Sequence, residues 1–286
     1  MQHGPAVRRR KLGAELRALR NRARLTSGEA ARLVGWHQSK VSRIETGTSS
    51  AKPADVALLL DAYGVADARL RELMLVLAGG GEGVGRDHWW HAYRGLLPPT
   101  YRDFISLESQ ASAMRTLETT VVPGLLQTPE YARAVTRSAL EGVDEEQLDA
   151  LVEVRLARQD VLLGNPPLLL SAVLDEAVLR RQVGGPEVMA AQLERLLEAA
   201  KLPQVTLQVL PFSAGAHIGV TGPFVVFSFS SVSDLDVVVL DHLTSSHHLE
   251  GKEDLRAYSE AFTKLQIHAL SPEDSLDFIA GTGDGA

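Results

Sequence analysis

The 286-residue chain has no cysteine. It therefore forms no disulfide, binds no metal through thiolates and uses no cysteine nucleophile, and it suits a reducing cytosol. No apolar run approaches the roughly 20 residues that span a bilayer. The basic residues at 8–11 precede an amphipathic segment rather than the apolar core of a signal peptide. We therefore expect a cytoplasmic protein without membrane contact.

The sequence also lacks the motifs of common enzymes and cofactor sites. It has no GxSxG, no P-loop and no GxGxxG placed after a strand. The glycine-rich run at 79–85 precedes no strand–helix phosphate site, and we interpret it as a flexible linker. We expect no catalytic residues, no cofactor and no metal.

Charge is distributed unevenly along the chain. The overall net charge is −7, with 45% hydrophobic and 23% charged residues, which is ordinary for a globular protein with room for two domains. Residues 1–65 hold 12 basic and 5 acidic side chains, a balance of +7, and the remainder carries −14. A basic patch is what phosphate neutralisation needs, and the acidic remainder would repel DNA.

The basic end carries a helix-turn-helix pattern. Residues 25–47 predict two short helices joined by a tight turn at Gly35. The first helix of the motif begins after Thr26 or Ser27, either of which could cap it. Another helix over about 8–24 precedes the motif, with Leu12, Leu16 and Leu19 as its apolar stripe, and further helices are predicted from Pro53 to Tyr63 and over about 67–77. The solvent side of the second helix of the motif, over about 38–45, carries side chains suited to base edges and phosphates: Gln38, Ser39, Lys40, Ser42 and Arg43.

The rest of the chain predicts an α/β domain. Residues 100–163 favour helices, with a helix start at Thr128-Pro129, and the hydrophobic period then changes. Strands are predicted at 168–174, 205–210, 224–229 and 235–240, and helices at 186–201 and 254–270. The first two strands and the helix between them form a parallel β-α-β unit. The predicted domains are 1–78, a linker at 79–85, and 86–280, followed by a mobile tail at 281–286.

Residues 8–65 resemble the lambda and 434 repressor-like (XRE-type) helix-turn-helix class, which has five helices. The matching signature is Glu29-Ala-Ala-x-x-x-Gly35 followed by Gln38-Ser-Lys-Val-Ser-Arg-Ile-Glu45-x-Gly47. The resemblance implies base contacts from the third helix, here Gln38, Ser39, Ser42 and Arg43. It implies phosphate contacts from Arg24, Thr26, Ser27 and Lys40. It also implies a structural ion pair between Arg20 and Glu45.

Two residues of the turn need separate interpretation. His37 stands where Ser or Thr commonly caps the third helix, and a neutral imidazole is a poor cap, so weak pH sensitivity is one alternative. Trp36 is expected to pack under the second helix rather than to stack on a base. The polar side chains of the third helix could also be simply solvated.

Residues 89–280 resemble the C-terminal domain of actinobacterial WhiJ-like regulators. The matching pieces are Leu107-Glu108, the segment from Val121 to Arg133, Leu174-Asp-Glu-Ala-Val-Leu-Arg180 and Val209-Leu-Pro211. The resemblance implies a transcriptional regulator. Members are often encoded beside a small acidic partner protein and have been likened to antitoxins.

The segment from Val121 to Arg133 allows two interpretations. Its Pro-Gly turn and the apolar residues after it could line a pocket or a protein-binding groove, with Pro123, Leu125, Leu126 and Tyr131 as the candidate surface. It could equally be a structural corner that anchors two helices.

Two polar clusters have both a chemical and a structural interpretation. His242, His247 and His248, near Asp241 and Glu250, could bind a metal or form a polar strand edge and turn. Asp175 and Glu176 follow a strand, where they could act as catalytic acids or cap the next helix.

The leading hypothesis is a dimeric, sequence-specific DNA-binding regulator that recognises two half-sites, with the second domain for signal or partner binding. One alternative is an antitoxin-like regulator controlled by a small acidic partner. The other is an enzyme in the second domain, which a deep pocket joining the acids at 175–176 and a histidine would favour.

Overall fold

The computed structural model describes residues 5–78, 89–93, 95–140, 142–229 and 236–283. The backbone divides into two compact units. The first consists of Met1–Ala92 and Pro98–Ser106, and the second of Tyr93–Leu97 and Leu107–Ala286. The linker predicted at 79–85 lies outside the described residues, as do residues 284–286 of the predicted tail.

The first unit is helical, as predicted. Its helices are α1 (Pro5–Arg22), α2 (Ser27–Leu33), α3 (Gln38–Glu45), α4 (Pro53–Ala62) and α5 (Ala68–Leu77). A 3-10 turn (Trp89–Tyr93) and helix α6 (Pro99–Glu108) follow, where the chain passes from one unit to the other. Leu12, Leu16 and Leu19 form the buried stripe of α1, which confirms the predicted apolar face.

Local signals fix the ends of α2. The Thr26 hydroxyl accepts the Glu29 amide, and the Glu29 carboxylate accepts the Thr26 amide, so the two residues form a capping box. Gly35 has a φ of +70°, which only glycine adopts without strain, and it ends the helix as predicted. The turn between α2 and α3 therefore has a fixed geometry.

The second unit is built on a six-stranded mixed sheet. Its strands are β1 (Ala113–Glu118), β2 (Leu169–Asp175), β3 (Val205–Leu210), β4 (Phe224–Ser228), β5 (Val237–Asp241) and β6 (Ser246–Leu249). Their order across the sheet is β3-β2-β1-β4-β5-β6. Strands β1, β2 and β3 are parallel, and β4, β5 and β6 continue the sheet in antiparallel pairs.

Helices pack around this sheet. They are α7 (Pro129–Ala139), α8 (Glu145–Ala157), α9 (Glu176–Arg180), α10 (Pro186–Ala199), α11 (Lys252–His268) and α12 (Pro272–Gly283). Short 3-10 turns occupy Gly124–Leu126, Arg158–Leu162, Phe212–Ala214 and Ile218–Thr221. The parallel pairing of β2 and β3 confirms the predicted β-α-β unit, and the predicted α/β fold class is confirmed with it. A core of Leu117, Val173 and Val226 packs under Phe262 and Leu265 of α11.

Two elements differ from the prediction. Residues 113–118 form a central strand rather than a helix. The sequence did not predict this strand because Arg115, Thr116 and Glu118 interrupt its apolar residues. A helix that the sequence did not predict, α12, covers residues 272–283, so the first residues of the tail predicted at 281–286 are helical. The buried Ser275 hydroxyl of α12 accepts the Val209 amide at 2.9 Å, which ties this helix to β3.

The segment from Val121 to Arg133 is a structural corner, and its interpretation as a docking surface is wrong. The four candidate residues Pro123, Leu125, Leu126 and Tyr131 are all buried. The Tyr131 hydroxyl accepts the Val122 amide at 3.1 Å. The Gln192 side chain accepts the Thr128 amide and donates to the Leu126 carbonyl, both at 2.8 Å. These bonds satisfy the backbone of the turn internally.

A buried ion pair explains why Glu108 belongs to the same signature. Its carboxylate accepts two hydrogen bonds from the Arg158 guanidinium, at 2.7 and 2.8 Å, and both side chains are almost fully buried. A β-carbon on Gly124 would lie 3.3 Å from both terminal nitrogens of that guanidinium. The glycine of the Pro-Gly turn therefore makes room for the ion pair.

Glu118 ends the central strand β1, and its carboxyl group is a source of pH dependence. The Thr116 hydroxyl lies 3.1 Å from Glu118 Oε1. Burial raises the pKa of Glu118 to about 7, against the smaller opposing effect of that hydrogen bond. The folded protein therefore holds a proton that the unfolded chain has already lost between about pH 4.5 and pH 7.

We predict that the free energy of unfolding falls as pH rises through this window, by about 2–3 kcal/mol in total, and is level above it. Glu118→Gln should remove this part of the pH dependence and should be more stable than the wild type at pH 8. Urea unfolding followed by far-ultraviolet circular dichroism at pH 5 to 8 measures both effects. The exposed Glu198→Gln is the matched control, and equal curves for the two variants would contradict the prediction.

Candidate nucleic-acid interface

A buried ion pair holds α3 against α1. Arg20 Nε lies 2.7 Å from Glu45 Oε1, and Arg20 Nη2 lies 2.8 Å from Glu45 Oε2. Arg20 also donates to the Leu25 carbonyl at 2.7 Å, and the Tyr63 hydroxyl lies 3.4 Å from Glu45 Oε1. Burial beside Glu45 raises the pKa of Tyr63. The pair that the repressor resemblance implied is therefore present, and it joins α1, α3, α4 and the start of α2.

Gly13 lets α1 and α3 approach closely, which the sequence analysis missed. A β-carbon at this position would lie 2.4 Å from the Ile44 carbonyl oxygen and 2.6 Å from that of Glu45. The end of α3 therefore rests on the backbone of α1. Glycine inside a helix costs about 1 kcal/mol, so its presence in α1 was a signal for such a contact.

The outer side of α3 is free of the core. Gln38, Ser39, Ser42 and Arg43 are exposed, whereas Val41 and Ile44 are buried. The hydroxyls of Thr46 and Thr48 bond to the Arg43 carbonyl and cap the end of α3. The four residues predicted to contact bases thus form one exposed face of a rigidly held helix.

Gln38, the first residue of α3, is tied to α2. Its side-chain nitrogen donates a hydrogen bond to the Ser27 hydroxyl at 3.0 Å. Within the described residues, the Ser27 hydroxyl accepts this bond and donates none. The structure therefore joins a residue predicted to contact bases with one predicted to contact phosphate.

Lys40 has structural partners in the free protein. Its ammonium lies 3.0 Å from an Asp55 carboxylate oxygen and 3.5 Å from the centre of the Trp36 ring. The side chain therefore links α3 to the start of α4 and covers the tryptophan of the turn. Lys40 is not a free phosphate ligand in this state.

The other predicted phosphate ligands lie beside the turn from α1 to α2. Arg24 is exposed and has a φ of +57°, which ends α1. The Thr26 hydroxyl is exposed but already engaged with Glu29. His37 precedes α3 and makes no capping bond with its side chain, in agreement with the expected poor cap.

Family comparisons match both units. A model described as a domain of unknown function (DUF5753) matches residues 101–281, well over half of the chain. The chain belongs to the DUF5753 family. A second model, described as a helix-turn-helix domain, matches residues 11–73. Comparison with curated proteins and with solved structures gives no match.

The helix-turn-helix match identifies this DUF5753 protein as a DNA-binding regulator. The match covers α1 from residue 11, all of α2 to α4, and α5 as far as residue 73, and it includes every residue predicted here to contact DNA. No helix among the described residues is long and apolar enough to cross a membrane.

The structure shows where the two polar clusters of the DUF5753 domain lie and which groups they contact. Asp175 accepts the Ala177 amide at 2.9 Å and caps α9, so the capping interpretation is confirmed. His242 lies in the turn before β6, and His247 and His248 lie in that edge strand, as the strand-edge alternative predicted. In the described ranges, no group of three or more His, Asp or Glu side chains could hold a metal ion.

The Arg20–Glu45 pair should control the stability of the helix-turn-helix. We predict that Arg20→Met costs about 3–5 kcal/mol, because it leaves the buried Glu45 carboxylate without its partner. Hydrogen exchange of the full chain, read by mass spectrometry, should show lost protection in α1 and α3 and unchanged protection in β1–β3. Arg71→Met removes an exposed pair with Asp61 in the same unit and should change protection by less than about 1 kcal/mol. Equal losses in the two variants would contradict the assignment.

Proposed function

We propose that this protein is a sequence-specific transcriptional regulator that inserts α3 into the major groove of DNA. The observation that carries the proposal is the Ser27–Gln38 hydrogen bond on the exposed side of a buttressed helix-turn-helix. A recognition helix needs both exposure of its polar side chains and a fixed orientation, and α3 has both.

The hydrogen bond at Gln38 leaves its amide with a defined chemistry. One of the two N–H groups is used by Ser27, so one N–H donor and the carbonyl acceptor remain. Adenine presents an N7 acceptor and an N6 donor in the major groove, and no other base presents this pair. We infer that Gln38 selects adenine at one position of each half-site.

Ser27 would connect a phosphate of the DNA backbone, through Gln38, to the base that Gln38 contacts. Its hydroxyl accepts from Gln38, and its own proton is available for a phosphate oxygen. A phosphate bound there would hold the Gln38 amide in place. Arg24 and the hydroxyl proton of Ser27 are therefore our first candidates for phosphate contacts, and Thr26 contributes through its position beside them.

Arg43 is the second candidate for base recognition. It is exposed one turn beyond Ser39 on the same face of α3, and its guanidinium is suited to guanine O6 and N7. Ser39 and Ser42 flank it with short hydroxyl side chains that can contact either bases or phosphates. Lys40 reaches a phosphate only if it leaves Asp55, so we assign it first to the geometry of the turn.

We propose that the protein acts as a dimer on DNA. A single helix-turn-helix buries little DNA surface, and paired units recognise half-sites about one helical turn apart. The DUF5753 domain is the part of the chain that we propose for signal or partner binding. Its acidic composition gives no charge attraction for a small acidic partner, so we place the antitoxin-like alternative second.

An enzymatic role for the second domain has less support. His217 Nε2 lies 3.7 Å from an Asp175 oxygen, which brings a histidine to one of the two acids considered in the sequence. The other ring nitrogen accepts the Gly219 amide at 3.2 Å. Both nitrogens are thus directed at the protein, and neither is placed to act as a general base on a substrate.

Selection of randomised duplex DNA tests the proposal. Wild-type protein at physiological salt should enrich an inverted repeat, and Arg43→Ala should lose about 1–3 kcal/mol of binding and discrimination at one base pair of each half-site. Loss of affinity that is uniform across all sequences would instead assign Arg43 to phosphate. Absence of any enriched site, together with a monomeric mass on DNA, would contradict the dimeric regulator.

The Ser27–Gln38 bond predicts coupling between two substitutions. Ser27→Ala should weaken binding and also relax the preference for adenine, because the Gln38 amide loses its orientation. The double variant with Gln38→Ala should therefore cost less than the sum of the single losses in a fluorescence-anisotropy titration. Ser138→Ala and Gln147→Ala, both exposed in the second unit, are matched controls. Strictly additive losses with an unchanged base preference would limit Ser27 to a phosphate contact.

A further inference from the structure

The connection from β3 to β4 crosses the carboxyl end of the parallel strands. We call residues 211–223 the strap. Its Phe212 amide donates to Glu176 at 2.8 Å, just after β2. Its His217 faces Asp175 at the end of β2, and a β-carbon on Gly219 would lie 2.7 Å from a Leu117 methyl group of β1. The strap therefore lies across the ends of two strands, where α/β domains commonly bind ligands.

The outer surface of the strap is unusually apolar. Ile218 is 50% exposed and Val220 is 74% exposed. Glycines with positive φ, Gly215 at +68° and Gly222 at +117°, stand at either side of this stretch and turn the backbone. These exposed aliphatic side chains have no role in the core or in DNA recognition.

The strap and the C-terminal half of α11 border an open groove of about 440 Å³. Ile218 and Val220 form one wall, and Leu265 from the core forms the base with Lys264 and His268 beside it. The volume falls in the range of small-molecule sites, which combine apolar walls with a few polar groups.

The titratable side chains that line the groove are Lys264, His217 and His268, with no acid among them, although the chain beyond residue 65 carries −14. In the described part of the protein, the Lys264 ammonium has no carboxylate within 4.0 Å. Glu260, one turn before it, is bound by Arg256 at 2.7 Å. That hydrogen bond is the largest cause of the lowered pKa of Glu260, and the charge of Lys264 is the smallest. The Asp175 carboxylate is directed at His217. The groove thus offers an unpaired cation next to an apolar wall.

The ring of His268 adds an oriented polar group. Its Nδ1 lies 2.7 Å from the Lys264 carbonyl oxygen and donates to it. With the proton on Nδ1, Nε2 of the neutral ring is a hydrogen-bond acceptor, so Lys264 and not His268 is the group that attracts an anion to the groove. Lys264 and His268 are four residues apart and so lie on the same side of α11.

We propose that this groove binds a small amphipathic anion, with Lys264 pairing with its acidic group and Ile218 and Val220 packing against its apolar chain. The groove should select both the charge and the polarity of its ligand. A cationic ligand would be repelled by Lys264, and a fully polar anion would leave the aliphatic wall exposed to water. The site itself does not depend on DNA binding. The interpretation of the groove as an effector site, by contrast, rests on the proposed function.

The test uses octanoate as the probe and the full chain without DNA. Isothermal titration calorimetry should detect saturable binding of octanoate, weaker binding of octanol and none of octylammonium. Lys264→Met should weaken octanoate binding about fivefold, the effect of an exposed charge pair. Val220→Asp should abolish it, because it adds a like charge to the apolar wall. Lys201→Met, at an exposed lysine elsewhere in the domain, should leave the affinity unchanged.

Several outcomes would overturn the proposal. Octanoate that fails to bind, or that binds Lys264→Met as tightly as the wild type, excludes an anion site at Lys264. Equal binding of octylammonium shows apolar adsorption only. The wild type could instead show a molecular mass in solution that rises with concentration, while Val220→Asp stays monomeric. That result would assign the surface to contact with a second copy of the chain. Binding of octanoate without effect on DNA affinity supports the site and leaves its regulatory role unsupported, so the two failures are distinguishable.

Discussion

The Arg20–Glu45 ion pair is the constraint on which the proposed DNA-binding face depends. α3 has only eight residues, and an isolated helix of that length is not stable in water. Its orientation comes from the buried bidentate pair and from the contact of its last turn with Gly13. Because a charge left alone in that position is costly, the pair specifies one arrangement of α1 and α3. The exposed side chains of α3 inherit that fixed geometry.

The DUF5753 domain also contains a buried ion pair beside a glycine, but there the pair stabilises a turn rather than the orientation of a helix. Glu108 and Arg158 also form a bidentate buried pair, and Gly124 again supplies the space. Here the pair stabilises a corner from which α7 departs, while side chains of Gln127 and Gln192 satisfy the backbone of the turn. Packing therefore explains two of the segments that carry the family resemblance, Glu108 and the segment from Val121 to Arg133.

The sequence predicted some elements well because their signals are local. The Thr26 cap, Gly35 and the heptad-like spacing of Leu12, Leu16 and Leu19 depend only on neighbouring residues. The strand β1 was missed because its polar residues are explained only by distant partners: the Arg115 side chain reaches Ser259 of α11. The Ser27–Gln38 bond was likewise beyond local reasoning, since both residues were proposed for DNA but their contact needs the folded turn.

Charge separation between the two parts of the chain limits how regulation can work. An acidic domain does not add phosphate contacts, so a ligand bound there changes DNA affinity only through the conformation or association state of the protein. A ligand shifts such an equilibrium by no more than its difference in affinity for the two states. An exposed groove with one unpaired cation supports only a modest difference in ligand affinity between the two states. Such a difference fits graded control of a regulator better than an all-or-none switch.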